Sequence, residues 1–289
     1  SSGKITNLTI NHSSCVATLG AFTPLLGNLA ITAGELNTDA SNNYALTVAG
    51  VVTNNGTLTL NGSTVNLGST SAEAGDVTGS GTFNLDTSTI NFHTAGSANF
   101  TPSTSANFDT NTSTLNLIGL NGSNRAHNFT FASGNLHNIT TSRGAGTDTH
   151  TDTLNGNTTI TGNLTVGANS NFSSGTRVFT VNGDVDVTGQ LISNGSDKPM
   201  SFGSLTINSG GTYSATSGTT TITNRKSGEF SLGNAGTFTN NDGTVLFSGA
   251  FDQHVSFTGS GNMHHCTVNK STSSPGPSRS ANWVISACI

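Results

Sequence analysis

Charged residues are scarce in this sequence, 8% of its 289 positions, where ordinary globular domains carry roughly a quarter. Nine Lys and Arg, mostly isolated, form no basic stripe for a phosphate backbone, so nucleic acid is set aside as a partner. A polysaccharide lyase or hydrolase would need clustered acids, or acids with Arg or Lys nearby, along one face; the fourteen acids are mostly isolated, and an enzyme is not expected. Three cysteines build neither a disulfide-dense scaffold nor a thiolate metal site. No apolar run approaches the roughly 18 residues of a membrane-spanning helix, so no membrane span is expected. Helix-favouring Glu, Lys, Arg and Gln are few, and no stretch carries helical periodicity. A net charge of −5 is too small, and the apolar residues recur too regularly, for a disordered chain. Nothing in this composition calls for a cofactor. The opening Ser1-Ser2-Gly3-Lys4 has neither Met nor a signal-peptide pattern, so the chain reads as a processed product or a fragment.

Gly, Asn, Ser and Thr fill the space that charge leaves, and 15 Phe recur with Val, Ile and Leu at regular intervals. Thr57-Leu58-Thr59-Leu60, Thr64-Val65-Asn66-Leu67 and Thr220-Thr221-Ile222-Thr223 place apolar residues between Thr and Asn, and Thr244-Val245-Leu246-Phe247 is a short apolar run. These are strands with one buried face. Between strands stand Asn54-Asn55-Gly56, Asn61-Gly62-Ser63, Asn182-Gly183, Ser209-Gly210-Gly211 and Asn241-Asp242-Gly243, whose residues accept positive φ and make tight turns. The chain is expected to be all-β.

A tandem repeat chooses among all-β architectures. Ser260-Gly261-Asn262-Met263-His264-His265-Cys266-Thr267 matches Ser133-Gly134-Asn135-Leu136-His137-Asn138-Ile139-Thr140 at an offset of 127, and Ser2 to Thr9 is a looser copy at 131. Phe100, Phe108, Asn111, Thr114, Leu115 and Leu117 fall on Phe230, Phe238, Asn241, Thr244, Val245 and Phe247 at 130. Leu46-Thr47-Val48, Gly50, Val52 and Asn61 fall on Phe179-Thr180-Val181, Gly183, Val185 and Asn194 at 133. The expected organisation is one unit over 1–132, a second over 133–259 and a partial third over 260–289. Within it the tripeptide Leu-Thr-Ile/Val begins at Leu8, Leu46, Leu164 and Leu205, with Cys266-Thr267-Val268 a variant. Those gaps predict coils of about 20 residues, six or seven to a unit. Turn spacing alone also fits sandwiches and barrels. The tandem register, the coil-sized sub-period and the supply of Asn for axial ladders favour a β-solenoid with a super-repeat of about 130 residues.

Few residues stand out as sites. Cys266 and Cys288 are 22 apart, about one coil, so they could pair on adjacent rungs or serve as small buried hydrophobes, with Cys15 left over. Asp184 and Asp186 flank Val185 on one strand face, and Asp148 and Asp152 flank His150; each set reads better as a solvated face than as a catalytic or calcium site. His264, His265 and His254 invite a metal, but His137 and His127 recur at the positions equivalent to His264 and His254, which favours turn or packing roles. Trp283, Tyr44, Tyr213 and exposed Phe are the available stacking platforms for a glycan. Ile5, Leu8 and Ile10 at one end, and Trp283, Val284 and Ile285 at the other, are the apolar residues through which uncapped coils would stack head to tail with another copy.

The phrase Gly236-Thr237-Phe238-Thr239-Asn240-Asn241-Asp242-Gly243-Thr244-Val245-Leu246-Phe247-Ser248-Gly249, followed by His254 and Ser260-Gly261-Asn262, resembles the β-strand repeats of large bacterial secreted surface proteins, as does Leu205-Thr206-Ile207-Asn208. Thr161-Gly162-Asn163-Leu164-Thr165-Val166 is similar to repeats in autotransporter and haemagglutinin-like passengers and, more weakly, in phage tail-fibre shafts. The resemblance spans nearly the whole chain and implies a right-handed parallel β-helix on a cell surface, in an extracellular filament or on a virion. The function it implies is a structural subunit or shaft segment assembling end to end. The alternatives are a surface adhesin or phage fibre binding glycans and, behind those, a polysaccharide-active β-helix.

Overall fold

A computed structural model of the protein describes residues 5–69, 74–94, 99–101, 108–109, 111–120, 125–129, 135–143, 150–224, 226, 230–249, 253–270 and 285–287. Every regular element among them is a β-strand, so no helix there is long and apolar enough to cross a membrane. The strands pair in parallel and stack as a β-solenoid whose coils have three faces. The first face is continuous through Thr23–Leu25, Leu46–Val48, Thr64–Leu67, Thr89–Thr94, Thr114–Gly119, Asn138–Arg143, Leu164–Val166, 184–187, 204–207, Leu232–Asn234, Val255–Phe257 and Ile285–Ala287. Next along the chain comes the second face, carrying 8–10, 29–31, Val52–Asn54 and Val77–Thr78 early on, and later His150–Leu154, Ser170–Ser173, Gln190–Ile192, Thr212–Ser214 and Thr237–Thr239. A third face closes each coil, with 35–37, Thr57–Thr59 and Thr82–Asn84, then Thr158–Ile160, 179–181, 200–202, Thr219–Ile222, Thr244–Gly249 and His265–Lys270.

Period-two alternation decides which side chains enter the column. Leu46 and Val48 are buried while Thr47 looks outward, and Leu164, Val166, Val185, Val187, Leu205 and Ile207 repeat the pattern coil after coil. Their rows merge into one hydrophobic core that runs the length of the stack. Aromatic residues form a spine in its later part: Phe172, Phe179, Phe202, Tyr213, Phe238 and Phe257 follow one another with ring centroids 5.3 to 6.1 Å apart, within the range of favourable edge-to-face contact. Outside, the expected amide ladder is present on the first face, where Asn116 Nδ2 donates to Asn91 Oδ1 and Asn91 Nδ2 to Asn66 Oδ1, each at 2.9 Å.

Corners are set by residues that tolerate the left-handed region. Asn61, Asp86 and Asn111 have φ of 49°, 47° and 35° between the third and first faces, a conformation that Asn and Asp adopt more readily than other non-glycine residues. The pairing of Thr114–Gly119 with Asn138–Arg143 crosses position 132, and that of Thr244–Gly249 with His265–Lys270 crosses position 259, so the stretches 1–132, 133–259 and 260–289 share one stack.

Coil length departs from the uniform value that the tripeptide spacing suggests. The shortest step on the first face carries Leu46 onto Val65, and the longest carries Val255 onto Ile285. The tripeptide spacing misled because its copies occupy different faces: Leu8 pairs on the second, Leu46, Leu164 and Leu205 on the first. The step from Leu8 to Leu46 is therefore one coil and two further faces, not two coils, and the expectation of six or seven coils to a unit is too high.

Candidate functional site

At each end of the described stack an apolar residue is exposed, Ile5 at one and Val268 at the other. Ile5 bridges to Leu25, Leu8 sits on Leu29 and Ile10 on Ile31, so these three form the outermost layer among the described residues. Ile5 is 41% exposed, Leu8 half-buried and Ile10 buried. Among the described residues the strand Leu8–Thr18 pairs only with Leu29–Asn37, and a strand paired on one edge can accept another on its free side. Exposed Phe22 and Leu26 adjoin this end in the sequence.

At the other end Trp283 and Val284 lie outside the described residues, while Ile285 pairs with Val255 on the first face. Beside it on the third face Cys266 stacks on Val245 and Val268 on Phe247, and both are exposed although they continue inward-facing rows. Val268 was missed as an end residue. Its signal was the tripeptide Cys266-Thr267-Val268, whose outer positions face inward wherever Leu-Thr-Val recurs.

Cys266 carries a free thiol whose pKa is raised by partial burial. Cys288, its suggested partner, lies outside the described residues, and Cys15 is free and exposed.

The candidate acids are held by neighbours in other coils. Asp184 Oδ1 accepts from Ser204 Oγ at 2.7 Å, and both oxygens of Asp186 meet Lys226 Nζ, at 3.0 and 3.2 Å. Asp152 is fully buried, which corrects the solvated-face reading for that residue; Asp148 and the side chain of His150 lie outside the described residues. His264 Nδ1 is 3.5 Å from Asp242 Oδ1 with its ring 4.3 Å from that of His265. His137 Nδ1 is 3.1 Å from Thr161 Oγ1, and His254 donates its backbone N–H to Ser231 Oγ. His127 belongs to the strand Arg125–Phe129. Among the described residues no three His, Cys, Asp or Glu gather in a way that could hold a metal ion.

Tyr213 is no glycan platform: it is fully buried in the aromatic spine with its hydroxyl 2.7 Å from Thr220 Oγ1. Tyr44 is half-buried against the core, and Phe22 and Phe230 are exposed. A neutral groove of about 290 Å³ runs beside the second face, lined by Asn169, Asn171, Thr188, Gln190 and Ser209 among others. Its amides and hydroxyls can exchange hydrogen bonds with an uncharged polyol, and no aromatic ring lines it. Comparison with protein-family profiles, with curated proteins and with solved structures finds no match for this chain.

Proposed function

We propose that the protein is a structural segment of an extracellular filament or surface appendage and that its copies stack end to end. The observation that carries this reading is the first and last layers of the described stack: Ile5, bridged to Leu25, is 41% exposed and Val268 44% exposed, and the strands Leu8–Thr18 and His265–Lys270 each pair on one edge among the described residues. Covering such an edge satisfies a row of backbone groups and removes apolar side chains from water at once. The neutral surface of Asn, Ser and Thr suits an extracellular rod, as does the resemblance to secreted surface repeats. In this reading no side chain is catalytic and no cofactor is bound.

Negative-stain electron microscopy across a concentration series tests the proposal. Rods that lengthen with concentration and show an axial repeat near one chain length are expected. Short rods of a single length at every concentration would overturn it.

A second reading, glycan adhesion, is favoured by the amide-lined groove at Asn169, Asn171 and Gln190. A glycan array probed with the intact chain separates the two: selective binding lost in Asn171→Ala with Gln190→Ala supports adhesion, and an array without selective binding supports the rod.

A further inference from the structure

We infer that the tandem repeat is a screw element: each repeat unit closes one face short of a whole number of coils, so equivalent surfaces in successive units are turned by one third of a coil about the rod. Leu46–Val48 lies on the first face, yet its counterpart in the next unit, 179–181, lies on the third. Val52 of the second face corresponds to Val185 of the first. Within the strand Phe179–Val187 the two faces part at Asn182 and Gly183, so the ladder that holds Leu46 reaches this strand only at 184–187.

Corner chemistry moves with the sequence and not with the face. Between the first and second faces, Asn7 Oδ1 accepts the N–H of Asn28 at 2.7 Å and Asn28 Oδ1 that of Val51 at 2.8 Å. Between the third and first faces, Asn138 Oδ1 accepts the N–H of Asn163 at 2.9 Å and Asn163 Oδ1 that of Asp184 at 2.8 Å. The two ladders correspond member by member at offsets of 131, 135 and 133. A Cβ on Gly50 would meet Asn28 Oδ1, and one on Gly183 would meet Asn163 Oδ1, so the same close approach recurs one corner back. The left-handed Asn61 and Asn111 of the third-to-first corner correspond to Asn194 and Asn241 of the second-to-third corner. Gly34 and Gly56 of the second-to-third corner correspond to Gly167 and Gly189 of the first-to-second. All three corners shift by one, in the same direction.

Such a shift is tolerated when a corner is defined by contacts with the coil beneath it, since these travel with the sequence. Its consequence is for association. A surface feature that recurs with the repeat faces a new side in each unit, so a second rod lying alongside finds no continuous matching stripe. Sideways packing of copies is disfavoured. This holds whether or not the end-to-end reading is right.

Gold-cluster labelling tests the screw. In a chain with Cys15, Cys266 and Cys288 replaced by Ser, one variant carries Ala49→Cys and Asn182→Cys, repeat equivalents that are both exposed. The other carries Ala49→Cys and Thr188→Cys, exposed and on the same first-to-second corner. With circular dichroism unchanged, maleimide gold clusters on the second variant are expected on one flank of the rod in nearly every image, and those on the first on opposite flanks in a large fraction. Equivalent residues on one flank, or any pattern in which the two variants do not differ this way, would overturn the inference.

Discussion

Tyr213 packs between Phe202 and Phe238, with ring centroids 6.0 and 5.3 Å away, and places its hydroxyl against Thr220 in a site sealed from water. Burial pushes the phenol well above its ordinary pKa, and the Thr220 contact offsets only part of that. Tyr213→Phe would leave Thr220 Oγ1 without this partner at a position 1% exposed, and the expected loss of stability is about 1–3 kcal/mol, read as a lower urea midpoint. The pH dependence has a definite sign. The unfolded chain releases the phenol proton near pH 10 or so whereas the folded chain retains it. Stability from this residue is therefore full below that pH and falls as pH rises beyond it; denaturant midpoints measured from neutral to alkaline pH should lose this component in Tyr213→Phe. The inward position was legible, since Thr212 and Ser214 flank the ring and period two puts a lone apolar residue between polar neighbours inside. Treating scarce aromatics as sugar platforms overrode that signal.

Corners were legible as turns but not as a mechanism. Asn61-Gly62 announces a tight turn through local chemistry, whereas Asn163 works through the N–H of Asp184, 21 positions along the chain and one coil away, so only the stacked structure reveals its role. Gly183 is the most constrained part of that corner. A Cβ there would stand 2.2 Å from Asn163 Oδ1 and 2.5 Å from the Gly162 carbonyl, and the carbonyl belongs to backbone that cannot swing aside. Gly183→Ala is expected to cost roughly 1–3 kcal/mol by overpacking and to disturb the Asn163 ladder bond. Gly20 has nothing within 4 Å of such a Cβ and no positive φ, so Gly20→Ala should be neutral or stabilising by up to about 1 kcal/mol. Melting temperatures of the two variants check the contrast; equal melting temperatures would show that backbone contact between coils does not set the tolerance of a corner.

At the scale of the whole rod, the parallel solenoid was readable because Leu46-Thr47-Val48, Leu164-Thr165-Val166 and Leu205-Thr206-Ile207 share a face and differ only by whole coils. Its triangular cross-section was not, because copies such as Leu8-Thr9-Ile10 lie on another face and their spacing mixes coils with thirds of coils. The same geometry governs extension. Duplicating residues 133–259 in tandem rejoins position 259 to position 133, whose surroundings in sequence match those of position 260, and strands at the join meet the repeat equivalents of their parent neighbours, Asn138–Arg143 lying on Thr244–Gly249 as His265–Lys270 does in the parent. Because contacts in a solenoid run only between adjacent coils, the longer chain is expected to fold with an unchanged or higher melting temperature. It should also form a rod longer by about 27 Å, between five and six strand spacings of roughly 4.8 Å. Small-angle scattering of the parent and the duplicated chain measures the increment. Inserting a stretch that ends in the middle of a coil, such as a repeat of 150–181, instead joins Val181 of the third face to His150 of the second without the Asn182-Gly183 corner and should lower the melting temperature. If both insertions were tolerated equally, the coils would be interchangeable and the long repeat unit would have no physical meaning.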